Sequence, residues 1–448
     1  MDRQTPISDF ARLADFNSLY HAYLLARRGK RWKYAVVRYE IDQLENLMFL
    51  HFMLTSKQYR LSPYNCFMVY EPKERLIMYN SFRDKIVQHS LCDNVLEPTL
   101  APTFIYDNYA SQKGKGTHFG LDRLSCFMGR YYRQHGSADG WVLKCDIAKY
   151  FYRIDHGVLK KQLRKLIKDR DVLWLLYMII DSTPNPGISI GNHTSQWFAI
   201  LYLSGMDHFI KERLGIKFYG RYMDDFYLIH EDKEYLQYCL QEIRKIVGDL
   251  GLELNHKTAI FPLSQGIDFL GFRTYLTDTG KVVRKIRSES KNRIRRKLKK
   301  FRGLLDEGKV DFETVLASYN SWTGHAAHGN SYHLIRETDE LFFNLFRKEM
   351  EEQPNVQNIS QLARRIGREV DRGEVQRRRD SLDRRNQGDG EDGPGRGKDS
   401  DPEVLRRNRS KQQRQIPSTK RKQPLFPVQH RQMVEQRRGR RRLVVRNP

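Results

Sequence analysis

Two adjacent carboxylates, Asp224 and Asp225, lie between two short apolar segments of this 448-residue chain. Phe218-Tyr219 come before them and Phe226-Tyr227-Leu228-Ile229 come after, so the acids fall at the tip of a predicted β-hairpin. Two unit charges about 4 Å apart interact by roughly 4 kcal/mol at an effective dielectric near 20. A bound divalent cation would offset that repulsion, because hard cations prefer carboxylate oxygens. The alternative is an Asp-Asp turn that holds no metal.

A third carboxylate, Asp146, lies at the end of a second predicted strand. The segment Trp141-Val142-Leu143-Lys144-Cys145-Asp146-Ile147 is largely apolar and is predicted to be buried. One acid from a strand and two from a hairpin form the layout of a two-metal site, which can clamp the attacking and leaving oxygens of an in-line displacement. For Asp146 alone, a residue that caps the next helix is the alternative. The three acids together favour the metal site.

These segments resemble the motifs of reverse transcriptases, and the resemblance runs in the family's order from about Met68 to His333. The Tyr-Met-Asp-Asp hairpin is similar to the family's catalytic motif, Leu252 to Thr258 is similar to the following palm motif, and Ile267 to Phe272 is similar to the primer-grip hairpin. The resemblance implies an α+β fold with right-hand polymerase architecture. It also implies RNA-directed DNA synthesis with two Mg²⁺ ions, for which Mn²⁺ is a candidate substitute.

The same resemblance implies a role for each matching residue. The catalytic residues would be Asp146, Asp224, Asp225 and Lys257. Lys257 would donate a proton to pyrophosphate. The metal ligands would be the three acids and the backbone carbonyl of Ile147. Among substrate-binding residues, Phe151 would screen the sugar 2′ position and Tyr222 would lie beside the nucleotide.

One motif between the acids narrows the subgroup. Most reverse transcriptases have Gln-Gly-x-x-x-Ser-Pro where this chain has Ile190 and Gly191, followed by Ser195 and Gln196. The pattern resembles the enzymes of diversity-generating retroelements, in which these changes accompany error-prone copying at template adenines. An apolar Ile190 would remove a hydrogen-bonding side chain from the templating pocket, and Gly191 would let the backbone approach the nucleotide closely. A glycine turn before a core helix is compatible with both roles.

Two basic segments lie upstream of the acids. Lys113 and Lys115 alternate with glycines, and their ammonium groups suit a phosphate backbone, although a flexible surface loop is the alternative. The segment around Lys73 and Arg75 resembles the fingers hairpin that reaches the nucleotide triphosphate. A third basic segment, near residue 294, has an apolar seam of Ile294, Leu298 and Phe301 and predicts a helix that tracks phosphates. Its candidate nucleic-acid-binding residues are Arg293, Arg296, Lys297 and Lys300.

The composition agrees with a nucleic-acid partner. A net charge of +25 indicates a polyanionic partner or an anionic membrane surface. Aromatic residues make up 12% of the chain and interleave with Lys and Arg, which favours nucleic acid because rings can stack on bases. We therefore expect an RNA template, a DNA or RNA primer and deoxynucleoside triphosphates as partners, with a small basic accessory protein as a further candidate.

The sequence shows neither the features of a membrane span nor a cysteine pattern for disulfides or zinc. No run of about 18 apolar residues occurs and the first residues lack a signal-peptide core, so we expect no membrane span. The five cysteines are widely spaced and odd in number, without a zinc or disulfide pattern. We expect a cytoplasmic protein, encoded by a bacterium or a phage.

Composition and motif order predict five regions. They are a helical N-terminal extension (1–67), fingers (68–140), a catalytic palm (141–278), a helical thumb (279–350) and a disordered basic tail (351–448). Two thumb histidines, His325 and His328, are predicted to pack or cap rather than to bind metal.

Three functions remain open on the sequence. The first is a diversity-generating reverse transcriptase. The second is the same enzyme in phage defence, abortive infection or a retron-like element. The third is a catalytically silent RNA-binding scaffold, which the basic surface fits but which has no need of three converging carboxylates.

Overall fold

The computed structural model describes residues 8–70 and 74–352. The chain divides into two units, Met1–Arg385 and Asn386–Pro448, and every described residue lies in the first. The predicted tail, 351–448, lies outside the described residues except for the last two residues of one helix.

Four helices form the start of the described chain, where the apolar spacing predicts helices. Asp15 separates the first two, because its side chain accepts hydrogen bonds from the backbone N–H groups of Asn17 and Ser18 and so caps the second helix. Leu19 and Leu47 are fully buried between the helices. The helices are α1 (Asp9–Ala14), α2 (Phe16–Arg27), α3 (Tyr34–Ile41) and α4 (Gln43–Thr55).

A β-hairpin and three helices follow. In the hairpin, Asn65 pairs with Tyr79, and most of its first strand is exposed on both faces. The first helix after it buries Ile86, Val87 and Leu91, as the helical spacing predicts. These elements are β1 (Asn65–Val69), β2 (Arg75–Tyr79), α5 (Phe82–Leu91), α6 (Glu97–Leu100) and α7 (Thr117–His135).

The middle of the described chain contributes a four-stranded antiparallel sheet with the strand order β4-β5-β3-β6. Its strands are β3 (Trp141–Asp146), β4 (Phe218–Tyr222), β5 (Asp225–His230) and β6 (Ala259–Pro262). The helices between and beside them are α8 (Tyr150–Arg153), α9 (His156–Leu166), α10 (Arg170–Asp181), α11 (His193–Tyr202), α12 (Ser204–His208) and α13 (Lys233–Asp249).

Both faces of this sheet are covered, which explains why its strands are apolar without alternation. Leu143 and Phe226 belong to the larger hydrophobic cluster on one face, together with helices α9 to α13. Val142 and Tyr227 belong to a second cluster on the other face, together with α7. The sheet is therefore a rigid platform, and the polar residues at its strand ends are placed by the core beneath them.

A second sheet joins the platform to the last helices. Its strands are β7 (Ile267–Phe269), β8 (Phe272–Leu276) and β9 (Val282–Ile286). Leu270 and Gly271 form the turn between the first two, with φ angles of +48° and +90°. The hairpin lies where the sequence predicts one. Strand β9 was not predicted, because its basic residues look like the start of the following helix.

Three helices complete the described chain. Ile294 and Leu298 of the first are buried against Phe312, Tyr319 and Phe342 of the other two. The ring of His325 packs on that of Phe272, with centroids 4.8 Å apart. The helices are α14 (Ser288–Asp306), α15 (Phe312–Ala326) and α16 (Tyr332–Glu352).

The mixture of helices and antiparallel sheets confirms the predicted α+β class. No helix among the described residues is both long and apolar enough to cross a bilayer. All five cysteines are free thiols.

Candidate active site

The two adjacent acids lie at the tip of a tight hairpin. Tyr222, the half-buried last residue of β4, pairs with Asp225, the first residue of β5, so that only Met223 and Asp224 form the turn. Met223 adopts a φ of +56°, a conformation that few residues other than glycine take. The turn therefore depends on support from its surroundings.

Arg221 supplies that support from behind the hairpin. Its side chain is fully buried, and its guanidinium donates to the backbone carbonyl of Met223 at 2.8 Å. Two further nitrogens donate to the carboxylate of Asp207 at 2.7 and 2.6 Å. Burial alone would lower the pKa of Arg221, but the charge and hydrogen bonds of Asp207 outweigh it and raise that pKa. Arg221 had no predicted role, although a charge inside an apolar strand signals a paired group.

Strand β3 brings Asp146 beside the hairpin. Asp146 pairs with Asp225 in the antiparallel register of β3 and β5, and the N–H of Ile147 donates to the carbonyl of Asp224 at 3.2 Å. Opposed residues in such a pair have Cβ atoms about 4.5–5.5 Å apart. The three acids, distant in the sequence, are therefore neighbours in space.

Electrostatics single out Asp224. Burial raises the pKa of its carboxyl group, and the negative charge of Asp146 raises it further. The positive charges of Arg75 and Lys144 lower it by less. A carboxylate that is both buried and close to another carboxylate is stabilised by a cation.

Asp225 differs from its two neighbours because Lys144 forms an ion pair with it. Burial lowers the pKa of Lys144 to about 8. Within the part of the chain that the structure describes, no three His, Cys, Asp or Glu side chains are arranged as a metal site. Asp225 lies beside the other two acids and also pairs with Lys144, so its predicted role as a metal ligand stays a prediction.

The donor set at these acids fits a hard divalent cation. Asp146 and Asp224 contribute carboxylate oxygens, and Ile147, whose carbonyl was predicted as a ligand, follows Asp146 directly. Mg²⁺ commonly takes one or two carboxylates and completes its shell with water and substrate phosphates.

Asn255 holds Asp146 from the side opposite the hairpin. Its side-chain amide donates to the Asp146 carboxylate at 2.9 Å, and its backbone N–H donates to the Asp146 carbonyl at 2.7 Å. Lys257, the predicted proton donor, is exposed two residues further on, and its N–H donates to the Asn255 side-chain oxygen at 3.1 Å. Asn255 lies within a predicted motif but had no predicted role.

Two residues predicted to bind the nucleotide lie in segments that contact each other. Phe151 is half-buried in the helical turn α8, five residues after Asp146, and its carbonyl accepts from the N–H of Ile188 at 2.8 Å. This bond places Phe151 beside the segment that contains the half-buried Ile190. The structure thus brings together the segments of Phe151, predicted to screen the sugar, and Ile190, predicted to lie in the templating pocket.

Gly191 has a different contact from the one expected. A Cβ atom at this position would lie 2.1 Å from the carbonyl oxygen of Met78 in β2. Ser189 donates to the same carbonyl at 2.7 Å. The glycine is thus required for close packing of the segment against the β1–β2 hairpin, and its predicted approach to the nucleotide stays a prediction.

Gln196 is exposed at the start of α11, and its side-chain oxygen accepts from the hydroxyl of Ser111 at 2.7 Å. Ser111 has a φ of +49° and begins the basic loop that contains Lys113 and Lys115. The basic loop is therefore in contact with the motif that contains Ile190 and Gln196, a contact that was not predicted because the two segments are far apart in sequence.

The basic candidates divide into two groups. Lys115 is half-buried and donates to the carbonyls of Tyr106 and Asn108 at 2.9 and 3.0 Å, and its predicted role in nucleic-acid binding stays a prediction. Lys113 pairs with Glu97 at 2.8 Å. By contrast, the predicted cations of α14 are exposed on one helix: Arg293, Arg296, Lys297 and Lys300.

On the β1–β2 hairpin, Arg75 is exposed and close enough to Asp224 to lower its pKa. Its predicted contact with the triphosphate stays a prediction. Lys73 lies outside the described residues.

Comparison with known proteins gives this geometry a family context. Residues 71–274, a little less than half of the chain, match the family described as reverse transcriptase (RNA-dependent DNA polymerase). Protein YkfC of Escherichia coli (strain K12) is 25% identical over 252 residues, which are 46% of this chain and 65% of that protein. This chain thus spans slightly less than two thirds of the relative's length.

Solved structures with a similar backbone fold include two telomerases. The match to the telomerase of Candida albicans, in complex with a fragment of telomeric RNA, covers 72% of this chain and 64% of the telomerase chain, with 14% identity and a TM-score of 0.41. The apo telomerase of Candida tropicalis covers 64% and 60%, with 15% identity and a TM-score of 0.41.

The family match identifies a reverse transcriptase domain within residues 71–274, which contains Asp146, Asp224, Asp225 and Lys257. Such domains are RNA-directed DNA polymerases, a class of nucleotidyltransferase. They use divalent metal ions, usually Mg²⁺.

Proposed function

We propose that this protein copies an RNA template into DNA by nucleotidyl transfer, and that it does so with frequent errors at template adenines, as part of a diversity-generating retroelement. The observation that carries the first half is the register of β3 on β5, which places Asp146 beside Asp224 within the matched domain. The second half rests on Ile190 and Gln196 in the motif before α11.

In the proposed reaction, the 3′-oxygen of the primer attacks the α-phosphorus of a deoxynucleoside triphosphate, and the bond to pyrophosphate breaks. Asp146, Asp224 and the carbonyl of Ile147, with Asp225 as a further candidate, would hold two divalent ions, which would supply activation of that oxygen and stabilisation of the leaving group. Arg75 contributes positive charge at the triphosphate, since it already acts on Asp224. Lys257 donates the proton that the pyrophosphate takes up.

Three further elements hold the substrates. Phe151 excludes a 2′-hydroxyl by its ring, next to the nucleotide sugar. The exposed cations of α14, including Arg293 and Lys297, contact the phosphates of the template–primer duplex. Ile190 offers no hydrogen bond to the templating pair, so shape alone restricts which base enters.

The catalytic half is tested with Asp224→Asn, which keeps the side-chain volume and removes the charge. We expect primer extension on an RNA template with Mg²⁺ to fall to background while RNA binding stays within about twofold of wild type. Asp249→Asn, an exposed acid at the end of α13, is the matched control and should extend normally. Full extension by the Asp224 variant would refute the proposal.

The fidelity half is tested by sequencing the cDNA made on a defined RNA. Substitutions should concentrate opposite template adenines, and Ile190→Gln should reduce them by restoring a hydrogen-bonding group to the pocket. Ile190→Val keeps the apolar surface and should leave the error pattern unchanged. Uniform errors at all four template bases in the wild type would instead favour a reverse transcriptase with a defence or retron-like role.

A further inference from the structure

The segment that connects α13 to β6 runs along the end of β3, where Asp146 lies. Ile147 forms an isolated antiparallel bridge with Leu254, and the N–H of Ala148 donates to the carbonyl of Glu253 at 2.9 Å. The N–H of Asn255 donates to the carbonyl of Asp146 at 2.7 Å. These backbone contacts alone set the position of Asn255 relative to Asp146, independently of any side-chain contact.

The partners of the Asn255 side chain fix the orientation of its amide. The N–H of Lys257 can only donate, so it must meet the amide oxygen, which lies 3.1 Å away. An ionised carboxylate can only accept, so the amide nitrogen must face Asp146, at 2.9 Å. The same side chain therefore joins the acid to the backbone of the predicted proton donor.

This support differs in kind from the support of Asp225. Lys144 neutralises Asp225, whereas the amide of Asn255 orients Asp146 without adding positive charge. Only one oxygen of Asp146 accepts from Asn255, so the other is left for a cation. A neutral donor is the partner that preserves both the direction and the charge of a ligating carboxylate.

We propose that Asn255 is a positioning residue: it holds Asp146 in its metal-binding orientation and couples that orientation to the loop of Lys257. The inference rests on the proposed function, because it concerns the metal that Asp146 would hold. Loss of a hydrogen-bond partner of a metal ligand commonly weakens metal affinity or activity by about 10- to 100-fold.

Two substitutions separate the two bonds of the amide. Asn255→Ala removes both. Asn255→Asp keeps an oxygen for the N–H of Lys257 but cannot donate to an ionised Asp146. If the amide served only to anchor the loop, the aspartate variant would behave as wild type.

The first measurement needs no turnover. Mn²⁺ binding to the full chain is followed by electron paramagnetic resonance without nucleotide, with Asp146→Ala as the reference for a lost ligand. We expect Asn255→Ala to weaken Mn²⁺ binding by about tenfold. His256→Ala, an exposed neighbour in the same loop, is the control and should bind as wild type. Wild-type Mn²⁺ affinity in Asn255→Ala would overturn the inference.

The second measurement is the Mg²⁺ concentration that gives half-maximal primer extension. We expect it to rise by about tenfold in Asn255→Ala, and extension by Asn255→Asp to fall by at least that factor, with melting temperatures within a few degrees of wild type. An unchanged Mg²⁺ requirement in both variants would refute the role of Asn255. If the wild-type protein itself fails to extend a primer, the proposed function fails instead, so the two failures are distinguishable.

Discussion

Two groups of acids lie on either side of the Met223 turn, and they are compensated very differently. Behind the turn, Asp207 meets Arg221, and the hydroxyl of Tyr219 donates to it as well. Nearby, Asp107 pairs with Arg123 and Lys211 at 2.8 and 3.0 Å. Each acid of this rear group has at least one buried cation.

In front of the turn, the balance is reversed. Asp146, Asp224 and Asp225 adjoin one another, and Lys144 pairs with the last of them. Asn255 contributes a neutral amide to Asp146. The contrast separates acids that stabilise the fold from acids that are available to bind a ligand. Buried charges in a stable core are paired, whereas a group of acids with too few cations nearby favours the binding of a cation.

The largest effect is expected from breaking the rear group. Arg221→Ala leaves Asp207 buried without its guanidinium partner, and loss of one member of a buried pair costs about 3–5 kcal/mol of unfolding free energy. Urea unfolding measures this change. Pairing Arg221→Met with Asp207→Leu removes both charges and should recover part of the loss. A single variant within about 1 kcal/mol of wild type would show that the rear group is not structural.

A smaller effect is expected from removing the cation of the front group. Lys144→Met leaves Asp225 charged and adds to the negative potential at the acids, so Mn²⁺ should bind about fivefold more tightly. Lys144→Arg keeps the charge and should leave the affinity near wild type. Titration of Mn²⁺ followed by electron paramagnetic resonance measures both. Weaker binding by the methionine variant would mean that Lys144 helps to build the metal site rather than competing with it.

Much of this contrast was visible in the sequence, but only for the front group. Asp146, Asp224 and Asp225 stand out because acids are rare at the ends of apolar strands, and the order of the motifs placed them on one sheet. The rear group was not predicted, because its pairs join residues 14 or more positions apart on different elements. A sequence shows a buried charge but does not name its partner.

The surroundings of the site show the same limit. The carbonyl of Met78 lies against Gly191, a contact between distant segments that the sequence did not predict. The ammonium of Lys115 donates to two backbone carbonyls of its own loop region, which was not predicted either. The nucleotide and phosphate roles of these two residues stay predictions, and their partners within the protein are revealed only by packing.

The smallest expected effect is the stability gained by neutralising the front group. Burial and Asp146 raise the pKa of Asp224, so the folded state favours the protonated carboxyl. The corresponding stability is present below the ordinary pKa near 3.8 and is lost as the pH rises through the higher folded value. In EDTA at pH 7, Asp224→Asn should therefore be more stable than wild type, by about 0.5–2 kcal/mol.

Melting curves from pH 4 to 7 test the sign of this effect. The advantage of Asp224→Asn over wild type should grow as the pH rises, because the raised pKa of Asp224 makes ionisation of the wild-type carboxyl less favourable in the folded protein than in the unfolded one. Added Mg²⁺ should then raise the melting temperature of wild type more than that of the variant, since a ligand stabilises the state that binds it. Asp207→Asn should show the opposite sign at pH 7, because it weakens a paired acid. If both variants shifted the melting temperature in the same direction, the distinction between the two groups of acids would be lost.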